Sequence, residues 1–79
     1  MLNKNSYMLY FTKYAEQKFD ILNKYKVFIT KEQVENVITN AEKVKKKKYY
    51  WTAGKEGTAV LYKKEGDLIK IITFYPTKV

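Results

Sequence analysis

The stretch from Leu68 to Tyr75 constrains the fold more than any other part of the chain, because both of its faces are apolar. In an extended strand, successive side chains point to opposite faces. One face would carry Ile69, Ile71, Thr73 and Tyr75, and the other Leu68, Ile72 and Phe74, interrupted only by Lys70. Such a strand is typical of the interior of a sheet. We therefore expect it to have a neighbour on each side and to end at Pro76.

The segments before this strand predict an antiparallel meander. Thr58 to Lys64 has strand character, and a tight turn over Lys64 to Asp67 joins it to the last strand. Gly66 in this turn is free to adopt a positive φ. Lys46 to Ala53 alternates weakly and is rich in aromatic residues, which predicts a further strand. Residues 54–57 would form the turn between these two strands, giving three consecutive strands in all.

Two helices are predicted in the first half of the chain. Thr12 can cap a helix over Lys13 to Tyr25, whose core-facing stripe is Ala15, Phe19 and Leu22. Thr30 to Gln33 matches the capping box that opens a second helix. Helical spacing continues through Val34, Val37, Ile38, Ala41 and Val44. We expect this helix to stop or fray at Asn40.

Tyr7 to Phe11 alternates as a first strand, with Tyr7, Leu9 and Phe11 on one face. The order strand, helix, helix and three strands predicts a single α+β domain over residues 1–79. Both helices would lie on one face of a mostly antiparallel four-stranded sheet. The first strand is the natural second neighbour of the last. That pairing would be parallel, because the helices cross over between the two strands.

The composition points to an anionic partner and removes several classes of site. The formal net charge is +8, and all positive charge comes from sixteen lysines, with no arginine, histidine or cysteine. We expect no metal site, no cofactor and no disulfide. We also expect a cytoplasmic protein without a transmembrane helix or signal peptide. The competing interpretation of the charge is compositional bias, as expected of an AT-rich genome, together with solubility.

The densest part of this charge is a run of lysines followed at once by three aromatic rings. Lysines bind phosphate as point charges and exposed rings stack on bases. The candidate RNA-binding residues are Lys45, Lys46, Lys47, Lys48, Tyr50 and Trp51. On a strand these side chains alternate, so either Tyr50 or the pair Tyr49 and Trp51 would lie on the face without helices. Some of the lysines could instead guard an edge strand against aggregation.

The order and spacing of four stretches resemble the RelE/ParE toxin superfamily, and most closely its small BrnT-like domains. The matching stretches are Phe11 to Glu16, Ile29 to Val34, Thr58 to Tyr62 and Ile69 to Thr77. The resemblance implies a RelE-like fold, an endoribonuclease that cleaves mRNA, and neutralisation by an antitoxin partner. It also implies catalysis by basic side chains and a tyrosine near the end of the last strand. This chain has Tyr14 where many relatives have histidine.

A metal-independent endoribonuclease would need a base, a proton donor and cations around the phosphate. The candidate catalytic residues are Tyr75, Lys70 and Lys48, with Lys46 completing a cluster of lysines around Tyr75. Neighbouring cations would lower the pKa of a lysine or tyrosine toward neutrality. The alternative interpretation of Tyr75 is a half-buried ring that closes the core.

Two functional hypotheses follow from these features. The first is an RNA-contacting toxin of a toxin–antitoxin system, acting as an mRNA interferase. The second is a non-catalytic module of the same fold, from a virus or plasmid, that binds nucleic acid or protein. In this second hypothesis the exposed rings could instead form a homodimer interface. Neither hypothesis involves a membrane.

Overall fold

The computed structural model describes residues 8–77, which form two helices packed on one face of a five-stranded sheet. The elements are β1 (Met8–Phe11), α1 (Lys13–Lys24), α2 (Lys31–Thr39), β2 (Lys43–Lys46), β3 (Trp51–Lys55), β4 (Thr58–Glu65) and β5 (Leu68–Pro76). The strand order is β1-β5-β4-β3-β2. The β1–β5 pair is parallel and the other pairs are antiparallel. Neither described helix is long and apolar enough to cross a bilayer.

The predicted α+β class, the parallel pairing of the first and last strands and the interior position of β5 are confirmed. The predicted count of four strands is wrong, because Lys43–Lys46 form a separate edge strand. The strand predicted over Lys46 to Ala53 is instead a hairpin, in which the Lys47 N–H donates to the Tyr50 carbonyl oxygen at 2.7 Å. Tyr7, predicted in the first strand, lies outside the described residues.

The second helix ends where the sequence predicts, so the residues from Lys43 onward can form the strand β2. Asn40 is the C-cap, with its backbone N–H bonded to the Asn36 carbonyl oxygen. The Asn40 side chain also donates to the Asn36 side-chain oxygen at 2.6 Å. Val44 therefore lies on β2 rather than on the helix, so its predicted place in the helical stripe is wrong. The capping box of Thr30 and Gln33 is present as predicted.

The core lies between the two helices and one face of the sheet. Its fully buried large side chains are Phe74, Ile71, Val34 and Val60. The predicted division of β5 into faces holds only as far as Ile71. Tyr62 pairs with Ile71 and Leu61 with Thr73, so Ile72 is an extra residue in a β-bulge. The bulge shifts the alternation by one residue and places Phe74 on the same face as Ile69 and Ile71.

Thr12 joins the start of α1 to the bulged strand. Its hydroxyl oxygen accepts a hydrogen bond from the Ala15 N–H at 3.2 Å and donates to the Ile71 carbonyl oxygen at 2.8 Å. We expect Thr12→Ala to lower the free energy of unfolding by about 1–3 kcal/mol, since it removes both a helix cap and a bond to the sheet. Thr12→Ser keeps the hydroxyl and should retain most of the stability. Equal losses in urea denaturation of the two variants would contradict this role.

The buried phenol of Tyr62 should make the fold less stable at alkaline pH. It is buried in the core, and burial raises the pKa of its phenol above the usual value of 10.0. Unfolded tyrosine loses its proton near pH 10 while folded Tyr62 keeps it, so ionisation favours the unfolded state. Above about pH 10, the free energy of unfolding should fall more steeply for the wild type than for Tyr62→Phe. If the free energy of unfolding, measured by urea denaturation, falls equally with pH in the wild type and in Tyr62→Phe, the burial of this phenol has no effect.

Candidate nucleic-acid interface

The β2–β3 hairpin concentrates positive charge at one edge of the sheet. From Lys43 to Lys55 the chain has six lysines and no acidic residue. β2 is an edge strand whose four residues are all exposed, and Lys47 and Lys48 are exposed in the turn that follows. The hairpin therefore carries its charge into solvent rather than toward the rest of the protein.

The register divides these lysines between the two faces of the sheet. Val44 pairs with the buried Ala53 and Lys46 with Trp51, so Lys46 lies on the face that carries the helices. Lys43 and Lys45 alternate with them and lie on the opposite face, which carries neither described helix and is called the open face below. The run therefore supplies cations to both faces and to the hairpin tip.

The three aromatic residues occupy different environments. Tyr49 and Tyr50 lie in the turn and are both exposed, so the predicted alternation of these rings on a strand is wrong. Trp51 is half-buried and packs against the core. Two ammonium groups lie over its ring: Lys64 Nζ at 4.2 Å and Lys46 Nζ at 5.4 Å from the centroid. Lys48 Nζ also lies 5.9 Å from the centroid of the Tyr49 ring, but this ring is 74% exposed. The two turn tyrosines are therefore more accessible to a ligand than Trp51.

Among residues 8–77, no carboxylate pairs with the lysines of the hairpin, Lys45 to Lys48. Within residues 8–77, Lys31 pairs with Glu16 at 2.8 Å and Lys70 pairs with Glu65 at 2.9 Å. None of Lys45 to Lys48 makes such a pair in this part of the chain. A polyanion would therefore not have to displace an internal carboxylate before it contacted the run.

A hollow of about 220 Å³ lies on the open face next to β2. The residues around it are Lys43, Lys45, Thr52, Ala53, Gly54, Ala59 and Thr77. Gly54 and Ala59 are directly paired, and their small side chains leave the space above the sheet empty. Lys43 pairs with Gly54 on one side, and Tyr75 pairs with Ala59 on the other. A single row across four strands thus runs from a lysine to a tyrosine.

Sequence reasoning missed Lys43 and the hollow. Both depend on the register that sets Gly54 opposite Ala59, and small residues in two separate strands do not reveal that pairing. The position of Tyr75 also differs from its alternative interpretation. It is exposed on the open face, and its neighbour Phe74 fills the core instead.

The predicted catalytic cluster is not assembled. Lys70 and Tyr75 are five residues apart on β5, which corresponds to about 16 Å along a strand. Lys48 lies at the tip of the hairpin, next to the end of β3 that pairs with Tyr62, whereas Tyr75 lies at the opposite end of the sheet. Lys70 is held by Glu65. Lys46, Lys48 and Lys70 therefore do not surround Tyr75.

No group of three or more metal-binding side chains occurs among the described residues. No family model matches the chain, and neither a curated protein nor a solved structure shows significant similarity to it. The resemblance to the RelE/ParE superfamily therefore stays a prediction.

The contact between Lys64 and Trp51 can be tested against a neighbouring lysine. Lys63 follows the alternation to the open face, where it pairs with Lys70. Lys64→Gln should lower the free energy of unfolding by about 0.5–1 kcal/mol, because it removes a cation from an aromatic face. Lys63→Gln removes the same charge but relieves like-charge repulsion across the strand pair, so it should be neutral or slightly stabilising. Equal effects in chemical denaturation would contradict the cation–π contribution.

Proposed function

We propose that this protein binds single-stranded RNA through the β2–β3 hairpin and does not cleave it. The observation that supports the proposal most directly is the exposed run of Lys45 to Lys48 beside the exposed rings of Tyr49 and Tyr50. No carboxylate in the described part of the chain pairs with this run. Cations that contact a nucleic-acid backbone release its condensed counterions, which provides affinity without sequence recognition.

The residue types favour a single strand over a duplex. Exposed aromatic rings stack on unpaired bases with little regard to sequence, typically contributing about 1–3 kcal/mol per base. The bases of a duplex are already stacked, so Tyr49 and Tyr50 would gain little from them. Lysine also lacks the planar fork with which arginine reads guanine. The expected ligand is therefore an unstructured segment, bound with weak sequence preference.

The open-face hollow supports the same function with a second contact. Lys43 and Lys45 belong both to the hairpin and to the rim of the hollow, so a strand bound along the hairpin passes directly over it. The floor at Gly54 and Ala59 is flat and apolar, which suits the face of a base. The hydroxyls of Thr52 and Thr77 add polar groups at the edge.

The positions of the candidate catalytic residues favour binding without cleavage. An mRNA interferase of the predicted type would need Tyr75 close to Lys48 and Lys70, but these residues lie at opposite ends of the sheet. The sequence contains no histidine that could replace them in proton transfer near neutral pH. An antitoxin partner, which the resemblance implies, has no comparable support in the geometry.

The salt dependence of binding tests the proposal. A fluorescently labelled 20-nucleotide oligouridylate should bind with a log–log salt slope of about −0.7 for each phosphate contacted. The quadruple variant Lys45→Gln, Lys46→Gln, Lys47→Gln and Lys48→Gln should weaken binding at least tenfold and flatten the slope by about two to three units. Fluorescence anisotropy at several salt concentrations measures both quantities.

A control variant that loses the same number of lysines elsewhere shows whether binding depends on the position of the charges or only on their number. The variant Lys13→Gln, Lys18→Gln, Lys24→Gln and Lys26→Gln loses the same four charges from α1 and the turn after it. It should keep most of the affinity and of the salt slope. Equal losses in the two variants would overturn the assignment to the hairpin. Shortened RNA on a denaturing gel, lost on Tyr75→Phe, would support the endoribonuclease instead.

A further inference from the structure

A second surface has the opposite character, since it is apolar and lies at the other edge of the sheet. Along α1 and its C-cap, Tyr14, Ile21 and Tyr25 are 60%, 46% and 76% exposed. At about 100° per residue, these three positions fall within about 40° of one another around the helix. They form a stripe separate from the core-facing one, which includes the buried Ala15.

This stripe lies on the flank of α1 that faces away from α2. Glu16 projects from roughly the opposite side of the helix and pairs with Lys31 at the start of α2. The flank with the stripe is therefore the one above β1, the edge strand. β1 has no charged residue, and Met8 and Tyr10 are 71% and 53% exposed. We call the α1 stripe together with β1 the β1–α1 side.

Within residues 8–77, the backbone of β1 has hydrogen-bonding groups on its outer edge that no other strand pairs with. The Met8 N–H donates to the Asp67 carbonyl oxygen and the Thr12 N–H to that of Ile71. Backbone groups alternate in direction along a strand, so those of Leu9 and Phe11 point away from β5, toward the outer edge. An uncharged edge strand of this kind is a template for pairing with another strand.

We propose that the β1–α1 side is the interface of a homodimer. A two-fold axis perpendicular to the sheet would set β1 antiparallel to β1 of the second copy and bring the two α1 stripes together. Such an axis joins identical surfaces, so like charges near it would repel each other. β1 has no charged residue, and the charged residue of the α1 stripe is Lys18, which lies about 40° from Tyr14 around the helix and can extend its ammonium group to the rim of the interface. Residues 13–40 contain five lysines and four acids, a net charge of +1 out of +8. Two copies can therefore meet here without bringing their lysine-rich hairpins together.

The geometry of the layers allows both contacts at once. α1 packs on β5 and β1. Strands in a sheet lie about 4.8 Å apart, so a helix centred over the β1–β5 pair is about 2.4 Å from β1 in projection. Joining two β1 strands would then place the two α1 axes about 10 Å apart. This value agrees with the 8–10 Å at which packed helices contact each other.

The area available is sufficient for a weak dimer. Three tyrosines of this side, Tyr10, Tyr14 and Tyr25, are each more than half exposed. Tyr14, Ile21 and Tyr25 would pack between the two α1 helices, whereas Met8 and Tyr10 lie on the open face and would pair with their copies across the β1–β1 junction. Together the five side chains would bury on the order of 500 Å² per copy, taking about 150–250 Å² for each complete ring. The total of about 1,000 Å² reaches the lower limit for a specific interface. The dimer would place the two hairpins at the outer edges of a ten-stranded sheet, nine strand spacings or about 43 Å apart.

Sedimentation equilibrium of the purified protein without RNA tests this inference, independently of any RNA binding. The wild type should shift with concentration from the 9.4 kDa monomer toward twice that mass. The double variant Tyr14→Lys and Tyr25→Lys should raise the dissociation constant at least tenfold, because it places four like charges at the interface. Tyr49→Lys with Tyr50→Lys makes the same chemical change in the hairpin and should leave the constant unchanged. A wild type that is monomeric at about 1 mM, or equal effects of the two variants, would overturn the proposal.

Hydrogen exchange of the wild-type protein gives a second test that requires no variant. The amides of Leu9 and Phe11 should be protected in concentrated solution, where β1 pairs with its copy. They should exchange more rapidly on dilution, whereas the amides of β4 in the centre of the sheet should not change. Exchange at Leu9 and Phe11 that is independent of concentration would contradict strand pairing between copies.

Discussion

The fold depends on the burial of β5 between β1 and β4 and beneath the helices. Ile69, Ile71 and Phe74 of this strand reach the core together only because the bulge at Ile72 corrects their alternation. The carbonyl oxygen of Ile71, at the bulge, accepts both the N–H and the hydroxyl of Thr12. The irregularity in the strand therefore also fixes the start of α1, and with it the position of the apolar stripe on that helix.

The features that could be predicted from the sequence are those that depend on local chemistry or on extreme patterning. The caps at Thr12 and Thr30 follow from hydroxyl groups at helix starts, and the interior position of β5 follows from its two apolar faces. The bulge could not be predicted, because one inserted residue leaves the composition of a strand unchanged. The hairpin inside the lysine block was missed because Lys48 and Tyr49 are not typical residues for a two-residue turn.

The candidate site shows the same division. The predicted partner class, an anionic polymer, depends on charge and aromatic content, which can be read from the sequence directly. The arrangement depends on register: the pairing of Gly54 with Ala59 creates the hollow, and the position of Tyr75 at the far end from Lys48 separates the predicted catalytic residues. A row of residues across four strands cannot be predicted from the sequence, because it depends on the register of each strand with its neighbours.

At the two edges of the sheet that residues 8–77 form, β2 and β1 both have unpaired backbone groups, but they differ in charge. Unpaired backbone groups at an edge favour pairing with another chain, and charged side chains oppose it. β2 carries three lysines in four residues, so a second copy is repelled there while a polyanion is attracted. β1 carries no charge, so its edge does not oppose pairing with a second copy in this way. In the proposed dimer, a chain of net charge +8 would associate through the edge that is far from the proposed nucleic-acid interface, and association would leave both hairpins free.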